Sequence, residues 1–174
     1  MGRSLLLVWY LLCLVPLTGL AAPGRDPSNY FFNDTFGNFT DELKAAREQG
    51  KQGILLFFEQ ADCPFCHYMK QNVLNQPQVQ AYYRKHFLNF PVDIQGDVEI
   101  TDFHGHQVTE KDFAKVKRVR ATPVIAFYDL QGNEIFRYTG STSGVAEFML
   151  MGKYVDDGIY KKMSFVRYKR AQLN

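Results

Sequence analysis

The sequence has few cysteines and little net charge, and both shortages exclude classes of protein. The sequence has three cysteines in 174 residues, and Cys63 and Cys66, only three positions apart, cannot link distant parts of the chain to each other. The 20 lysines and arginines nearly balance the 18 aspartates and glutamates, so no nucleic-acid partner is predicted. Internal repeats and low-complexity tracts are also missing. What remains is an ordinary globular composition, 46% hydrophobic, with enough residues for one domain.

The N-terminal segment has the pattern of a secretory signal peptide. Arg3 is followed by an apolar run over residues 5–17 and then by small residues, ending at Ala22, that suit a cleavage site. The run is short for a membrane span, which needs about 20 residues, although an uncleaved anchor is the alternative. We therefore predict that residues 1–22 are a signal peptide and that the protein is exported. Cleavage would also remove Cys13, leaving two cysteines.

These two cysteines form the motif Cys63-Pro64-Phe65-Cys66. The motif follows residues 53–58, a short apolar run typical of a buried strand, and a helical pattern begins at the motif itself. Cys63 would then lie at a helix N-terminus, where the helix dipole and free N–H groups favour a thiolate. Pro64 suits the first turn, because its missing N–H has no partner there. Cys66 lies one turn further in, so we predict that Cys63 attacks disulfides and Cys66 resolves the product.

The same motif is also the haem-attachment motif of c-type cytochromes, because His67 follows Cys66. On the motif alone, haem attachment is favoured. A buried strand running into the motif, within a mixed α and β pattern, is instead the setting of a redox-active thiol pair. We therefore predict a dithiol centre without a bound cofactor, and a c-type cytochrome is the alternative.

Helix and strand patterns alternate along the rest of the chain. Helical patterns cover residues 41–49, capped by Thr40, and residues 76–87, 109–117 and 143–155, and strand patterns cover residues 88–94, 124–128 and 134–138. The irregular section 96–108 predicts a small inserted hairpin. Together these patterns predict an α/β fold, with a central mixed sheet flanked by helices.

Two segments flank the predicted domain, which covers residues 39–158. Residues 23–38 are aromatic and polar and are expected to lead into it. Residues 159–174 form a tail with five lysines and arginines and no acid. We expect a solvated tail whose aromatic side chains pack on the domain, and the alternative is a patch for an acidic partner or a membrane surface.

A second motif, Arg120-Ala121-Thr122-Pro123-Val124, opens a hydrophobic strand and a hairpin. With the string from Phe58 to Cys66 and the segment 96–108, it resembles the thioredoxin family, and most closely the SoxW-type exported thioredoxins associated with bacterial sulfur oxidation. The resemblance covers about residues 39–155. It implies a thioredoxin-like fold in which Thr122–Pro123 is a cis bond facing the cysteines, whereas a trans proline at the start of an edge strand is the alternative.

The resemblance also implies a function and partners. It favours a periplasmic reductase of protein disulfides that is recharged by a membrane electron carrier of the thiol-reducing type, with an oxidase or isomerase as the alternative. Extended substrate would pair with the backbone near Thr122, and we predict that Pro64, Phe65, Thr122 and Pro123 contact it.

Glu59 is a candidate proton acceptor for the site. Ordinary thioredoxins have a buried acid six residues before the first cysteine, where this chain has Phe57. Glu59 is the nearest acid on the same side of the strand, so we predict that it accepts the proton of Cys66. A solvated glutamate at the strand end is the alternative. His104 and His106 lack a third ligand nearby, so no metal site is predicted.

Overall fold

The computed structural model describes residues 23–173, and the predicted signal peptide lies outside them. The helices are α1 (Pro27–Tyr30), α2 (Phe39–Glu48), α3 (Pro64–Met69), α4 (Pro77–His86), α5 (Glu110–Val116), α6 (Val145–Asp156) and α7 (Phe165–Leu173). The strands are β1 (Gly53–Glu59), β2 (Phe87–Asp93), β3 (Glu99–Thr101), β4 (Gln107–Thr109), β5 (Val124–Tyr128) and β6 (Glu134–Thr139). A π-helical turn, Lys70–Leu74, continues α3, and a 3-10 turn, Ile159–Lys161, precedes α7. None of the helices within residues 23–173 is long and apolar enough to cross a membrane.

The central sheet is mixed, as the sequence predicts. Its strand order is β2-β1-β5-β6, with β1 parallel to β2 and antiparallel to β5. The inner strand β1 is buried along six of its seven residues, because it has a strand on either side and helices on both faces. The predicted hairpin is also present as β3 and β4, and a single bridge between Asn38 and Thr101 connects it to the start of α2.

Alternation along β1 divides the core in two. Leu55 and Phe57 point to one face, called here the dithiol face, which is covered by α3, α4, α6 and α7. Ile54, Leu56 and Phe58 point to the other, called here the hairpin face, which is covered by α2, α5 and the hairpin. Each face therefore has its own apolar core.

The predicted lead-in packs as part of the fold. Phe31 and Phe32 are buried on the dithiol face, and the ring centroids of Phe32 and Phe57 are 5.9 Å apart. The backbone N–H of Asn33 donates to the carbonyl of Asn89 at 2.8 Å, so the lead-in also covers the outer edge of β2. A paired edge is protected from association with other strands.

The start of α2 differs from the prediction. Asn38, not Thr40, caps the helix, and its side-chain oxygen accepts from the backbone N–H groups of Thr40 and Asp41. The helix therefore begins two residues earlier than predicted. Asn is a stronger N-cap than Thr, and Gly37 before it adopts a positive φ of 77° that permits the turn.

Candidate active site

The dithiol lies where β1 runs into α3. Cys63 is the N-cap of α3, and its sulfur accepts a hydrogen bond from the backbone N–H of Cys66 at 3.0 Å. Its carbonyl accepts from the backbone N–H of His67 at 3.1 Å, and Pro64 occupies the first turn as predicted. Cys63 and Cys66 are joined in a disulfide, with their Cα atoms 5.2 Å apart. In the reduced protein the same N–H group of Cys66 would stabilise a thiolate at Cys63.

Both sulfurs are protected from solvent in the oxidised state. Cys63 is 3% exposed and Cys66 is fully buried, so the two differ little in burial. The residues between and beyond them are exposed instead: Pro64, Phe65 at 60% and Tyr68 at 38%. An approaching protein therefore meets an apolar rim before it reaches the sulfur of Cys63.

Thr122–Pro123 has the cis peptide bond that the resemblance implies. Val124, the first residue of β5, pairs with Phe58 near the end of β1. Pro123 therefore lies at the same end of the sheet as the Cys-Pro-Phe-Cys motif. Pro123 is buried and its carbonyl accepts from Gly140 at 2.8 Å, whereas Thr122 is only half-buried.

Glu59 is ion-paired, not solvated. One of its carboxylate oxygens lies 2.6 Å from Nζ of Lys70, and its side chain is 18% exposed. Because Lys70 follows Cys66 by four residues, helical spacing places both on one side of the motif helix. The Lys70 ammonium also lies 6.0 Å from the ring centroid of Phe32. The predicted proton acceptor thus has a fixed partner that sequence reasoning missed, because the two residues are eleven positions apart and are joined by a turn.

The ion pair lies at an open cavity of about 170 Å³, which is lined by Glu59, Gln60, Ala61, His67, Lys70 and Asp93. Glu59 pairs in register with Asp93 across β1 and β2. Nearby, burial raises the pKa of Glu110, and the negative charges of Asp93 and Glu59 raise it further, although a hydrogen bond from the Asp93 backbone opposes them. Two carboxylates, those of Glu59 and Asp93, therefore lie in one open cavity beside Lys70.

The histidines are engaged locally. His67 Nε2 lies 3.0 Å from the carbonyl oxygen of Ala61, to which it donates. His106 Nδ1 lies 3.2 Å from Asp102 in the hairpin turn. Across residues 23–173, no three His, Cys, Asp or Glu side chains come together in a way that would hold a metal ion.

A buried strand entering a Cys-x-x-Cys helix, with a cis-proline at the same end of a mixed sheet, defines the thioredoxin fold. The sequence model of the thioredoxin-like domain matches residues 39–155, and the chain belongs to this family. With Cys63 and Cys66 bonded to each other, the chain has the paired cysteines of a thiol–disulfide oxidoreductase-like member of this family. No curated protein matches the sequence.

Solved structures show the same fold. A thioredoxin-fold protein from Helicobacter pylori is 21% identical with a TM-score of 0.60, over 72% of this chain and 86% of that one. The DsbH oxidoreductase is 18% identical with a TM-score of 0.54, over 74% of this chain and 88% of that one. A thioredoxin from Thermus thermophilus is 25% identical with a TM-score of 0.53, over 68% and 83%.

Proposed function

We propose that the protein is an exported thiol–disulfide oxidoreductase that reduces disulfides of periplasmic proteins. The observation that carries this proposal is the Cys63–Cys66 disulfide at the N-terminus of α3, in a chain of the thioredoxin-like family. A dithiol in that position can pass two electrons to a substrate and return to the disulfide seen here.

The exchange takes two steps. The Cys63 thiolate attacks one sulfur of the substrate disulfide, forms a mixed disulfide and releases the first substrate thiolate. The Cys66 thiolate then attacks the Cys63 sulfur, which releases the second substrate thiolate and leaves the Cys63–Cys66 disulfide. The substrate gains two electrons and the protein loses two. The position of Cys63 at the helix terminus, beside the exposed rim, supports this order of attack.

Glu59 takes the proton that Cys66 must lose. Cys66 is fully buried, and burial disfavours a thiolate. The usual acid position is Phe57, which packs against Phe32 and has no acceptor. Glu59 is the carboxylate at the end of β1, and the open cavity beside it offers the proton a route to solvent. Lys70, at 2.6 Å, holds this carboxylate in one orientation.

Substrate recognition uses the exposed rim and the cis-proline loop. Pro64 and Phe65 offer apolar surface beside the attacking sulfur, and Thr122, ahead of Pro123, offers backbone to an extended segment. A flexible substrate strand placed there would bring its disulfide to Cys63.

Export and recharging complete the proposal. The signal-peptide pattern of residues 1–22 and the resemblance to SoxW-type thioredoxins support a periplasmic location. There the Cys63–Cys66 disulfide would be reduced by the dithiol of a membrane electron carrier, which supplies the two electrons for the next cycle.

The deciding experiment is the reduction potential of the Cys63–Cys66 pair, measured by equilibration with glutathione. A value near that of thioredoxin, about −270 mV, is expected for a reductase. A value near about −120 mV, as in the strong oxidant DsbA, would contradict the reductase role and favour an oxidase.

A further inference from the structure

The C-terminal helix α7 has one packed face. Phe165 is 6% exposed, and its ring centroid lies 5.3 Å from that of Tyr154 on α6 and 5.6 Å from that of Phe136 on β6. Lys169 reaches Glu147, a carboxylate only 2% exposed, at 2.7 Å. The packing of Phe165 and the ion pair of Lys169 therefore hold the helix on the domain.

The opposite side of α7 is cationic and exposed. Arg167 and Arg170 project from the helix, and Lys161 and Lys162 project from the turn before it. Val166 lies among them and is 63% exposed. None of these four cations pairs with a carboxylate of residues 23–173, and the segment 159–173 contains no acid. These five residues are called here the basic face.

The basic face contrasts with the rest of the molecule. Residues 23–158 contain 14 lysines and arginines against 18 aspartates and glutamates. A cationic helix on an acidic body makes the molecule dipolar, and a dipolar molecule turns its positive end towards an anionic surface. The four exposed cations nevertheless form no ion pairs with the acidic side chains of residues 23–158.

We propose that the basic face binds the anionic phospholipid headgroups of a bilayer. The apolar side of α7 is used in packing on the domain, so what the exposed side offers a bilayer is charge: four cations unpaired within residues 23–173, and the exposed Val166. A bilayer presents anionic groups everywhere on its plane, so cations spread over a turn and a helix can all be met at once. An acidic protein is the competing occupant, but it would have to match the positions of these cations individually.

This inference goes beyond disulfide exchange and does not depend on it, since the basic face includes neither cysteine. Binding at the bilayer would keep the protein in the plane of any membrane-bound reductant and raise its local concentration there.

The test is co-sedimentation of the protein, recovered after export with its N-terminus sequenced, with vesicles of phosphatidylglycerol and phosphatidylcholine. We expect binding that weakens with added salt and is absent with phosphatidylcholine alone. Arg167→Gln with Arg170→Gln should weaken binding about thirty-fold, since each cation near an anionic surface contributes about a factor of five. The control pair Lys44→Gln with Lys85→Gln removes the same charge from exposed sites on α2 and α4 and should bind normally.

Three results would overturn the proposal: no binding at low salt, equal binding to neutral vesicles, or equal loss in the two double variants. Binding to polyglutamate but not to vesicles would overturn it in favour of an acidic protein partner. Disulfide reduction by the Arg167 and Arg170 variant is measured in parallel and should be unchanged. A failure of exchange chemistry is thereby distinguished from a failure of membrane binding.

Discussion

The two faces of the central sheet are both closely packed, but only one contains buried polar groups. The hairpin face is built from apolar and aromatic side chains such as Phe58, Phe90 and Phe113. The dithiol face buries both cysteines, and the buried polar residues of the described chain, Gln80, Asn89, Thr142 and Glu147, lie on its side. The hairpin face therefore supports the sheet, whereas the dithiol face carries the chemistry.

The buried polar groups position the segments around the dithiol. Asn89 donates to the Phe31 carbonyl at 3.1 Å, and Gln80 donates to the Leu74 carbonyl at 2.9 Å, just after the motif helix. Thr142 lies 3.5 Å from the Met69 sulfur. Apolar contacts hold such segments without specifying their exact place, whereas a buried hydrogen bond costs free energy when the segment shifts. The buried hydrogen bonds therefore indicate that the chain segments around the dithiol are positioned more exactly than those on the hairpin face.

The largest effect is expected at the dithiol itself. Cys63→Ser and Cys66→Ser should both reduce turnover of a disulfide substrate to background, because each removes one of the two sulfurs. Only Cys66→Ser should accumulate a mixed disulfide, since Cys63 still attacks and no thiol resolves the product. Non-reducing gels and mass spectrometry of the trapped species measure this. Equal trapping by the two variants would contradict the assigned roles.

The next prediction distinguishes the two faces by their effect on the reduction potential of the dithiol. Phe58→Ala on the hairpin face should lower the free energy of unfolding by about 3–5 kcal/mol and leave the reduction potential of the dithiol unchanged. Phe57→Ala, its neighbour on the dithiol face, should cost a similar amount and also change the potential, because Phe57 shares a core with Cys66. Urea unfolding and glutathione equilibration measure both quantities, with Phe58→Leu and Phe57→Leu as milder versions. A similar change of potential in both variants would abolish the distinction between the faces.

A smaller effect concerns the attachment of α7. Burial alone would raise the pKa of Glu147, but hydrogen bonds from Lys169 and Ser143 outweigh it and lower the pKa to about 2. A carboxyl whose pKa is lowered by folding stabilises the protein above its unfolded pKa, and this contribution is lost as the pH falls towards about 2. Glu147→Gln should therefore cost about 2–3 kcal/mol at pH 7.

Unfolding of both proteins in urea at pH 7 and pH 3 checks this prediction. The difference between wild type and Glu147→Gln should narrow at pH 3, as the wild-type contribution declines. Asp112→Asn is the control, because its partner Lys115 is an exposed neighbour on α5, and little change is expected there. A difference that stays constant with pH would mean that Glu147 acts through packing and not through its charge.

The smallest effect is expected at Glu59. Glu59→Gln should slow release of the mixed disulfide about tenfold, or about 1.4 kcal/mol in the barrier, and leave attack by Cys63 intact. Stopped-flow mixing of reduced protein with a disulfide substrate separates the two phases. Lys70→Met, which leaves the carboxylate without its partner, should slow the second phase less. An unchanged second phase in Glu59→Gln would leave water as the proton acceptor.

Much of the site was predictable from local patterns. The apolar run of β1, the Cys-Pro-Phe-Cys motif and the Thr122–Pro123 string each have a composition that one element or one turn explains. The Glu59–Lys70 ion pair was harder, because it joins a strand end to a helix through a turn whose path the sequence does not show. The role of Phe32 was not predictable at all, since it depends on a lead-in segment folding back across the sheet onto Phe57.

The sequence by itself determined the buried strand β1 and the helix that begins at Cys63, because these depend on side chains only a few residues apart. The class of chemistry needed more than the motif, because Cys63, Cys66 and His67 alone also fit haem attachment. Tertiary structure alone decided that Glu59 pairs with Lys70. It also decided which cation of the C-terminal segment forms an ion pair with Glu147 and which four remain exposed. The sequence does not distinguish the five cations Lys161, Lys162, Arg167, Lys169 and Arg170. The packing of Phe165 beside Tyr154 fixes the rotation of α7, which turns Lys169 towards Glu147 and leaves Arg167 and Arg170 in solvent.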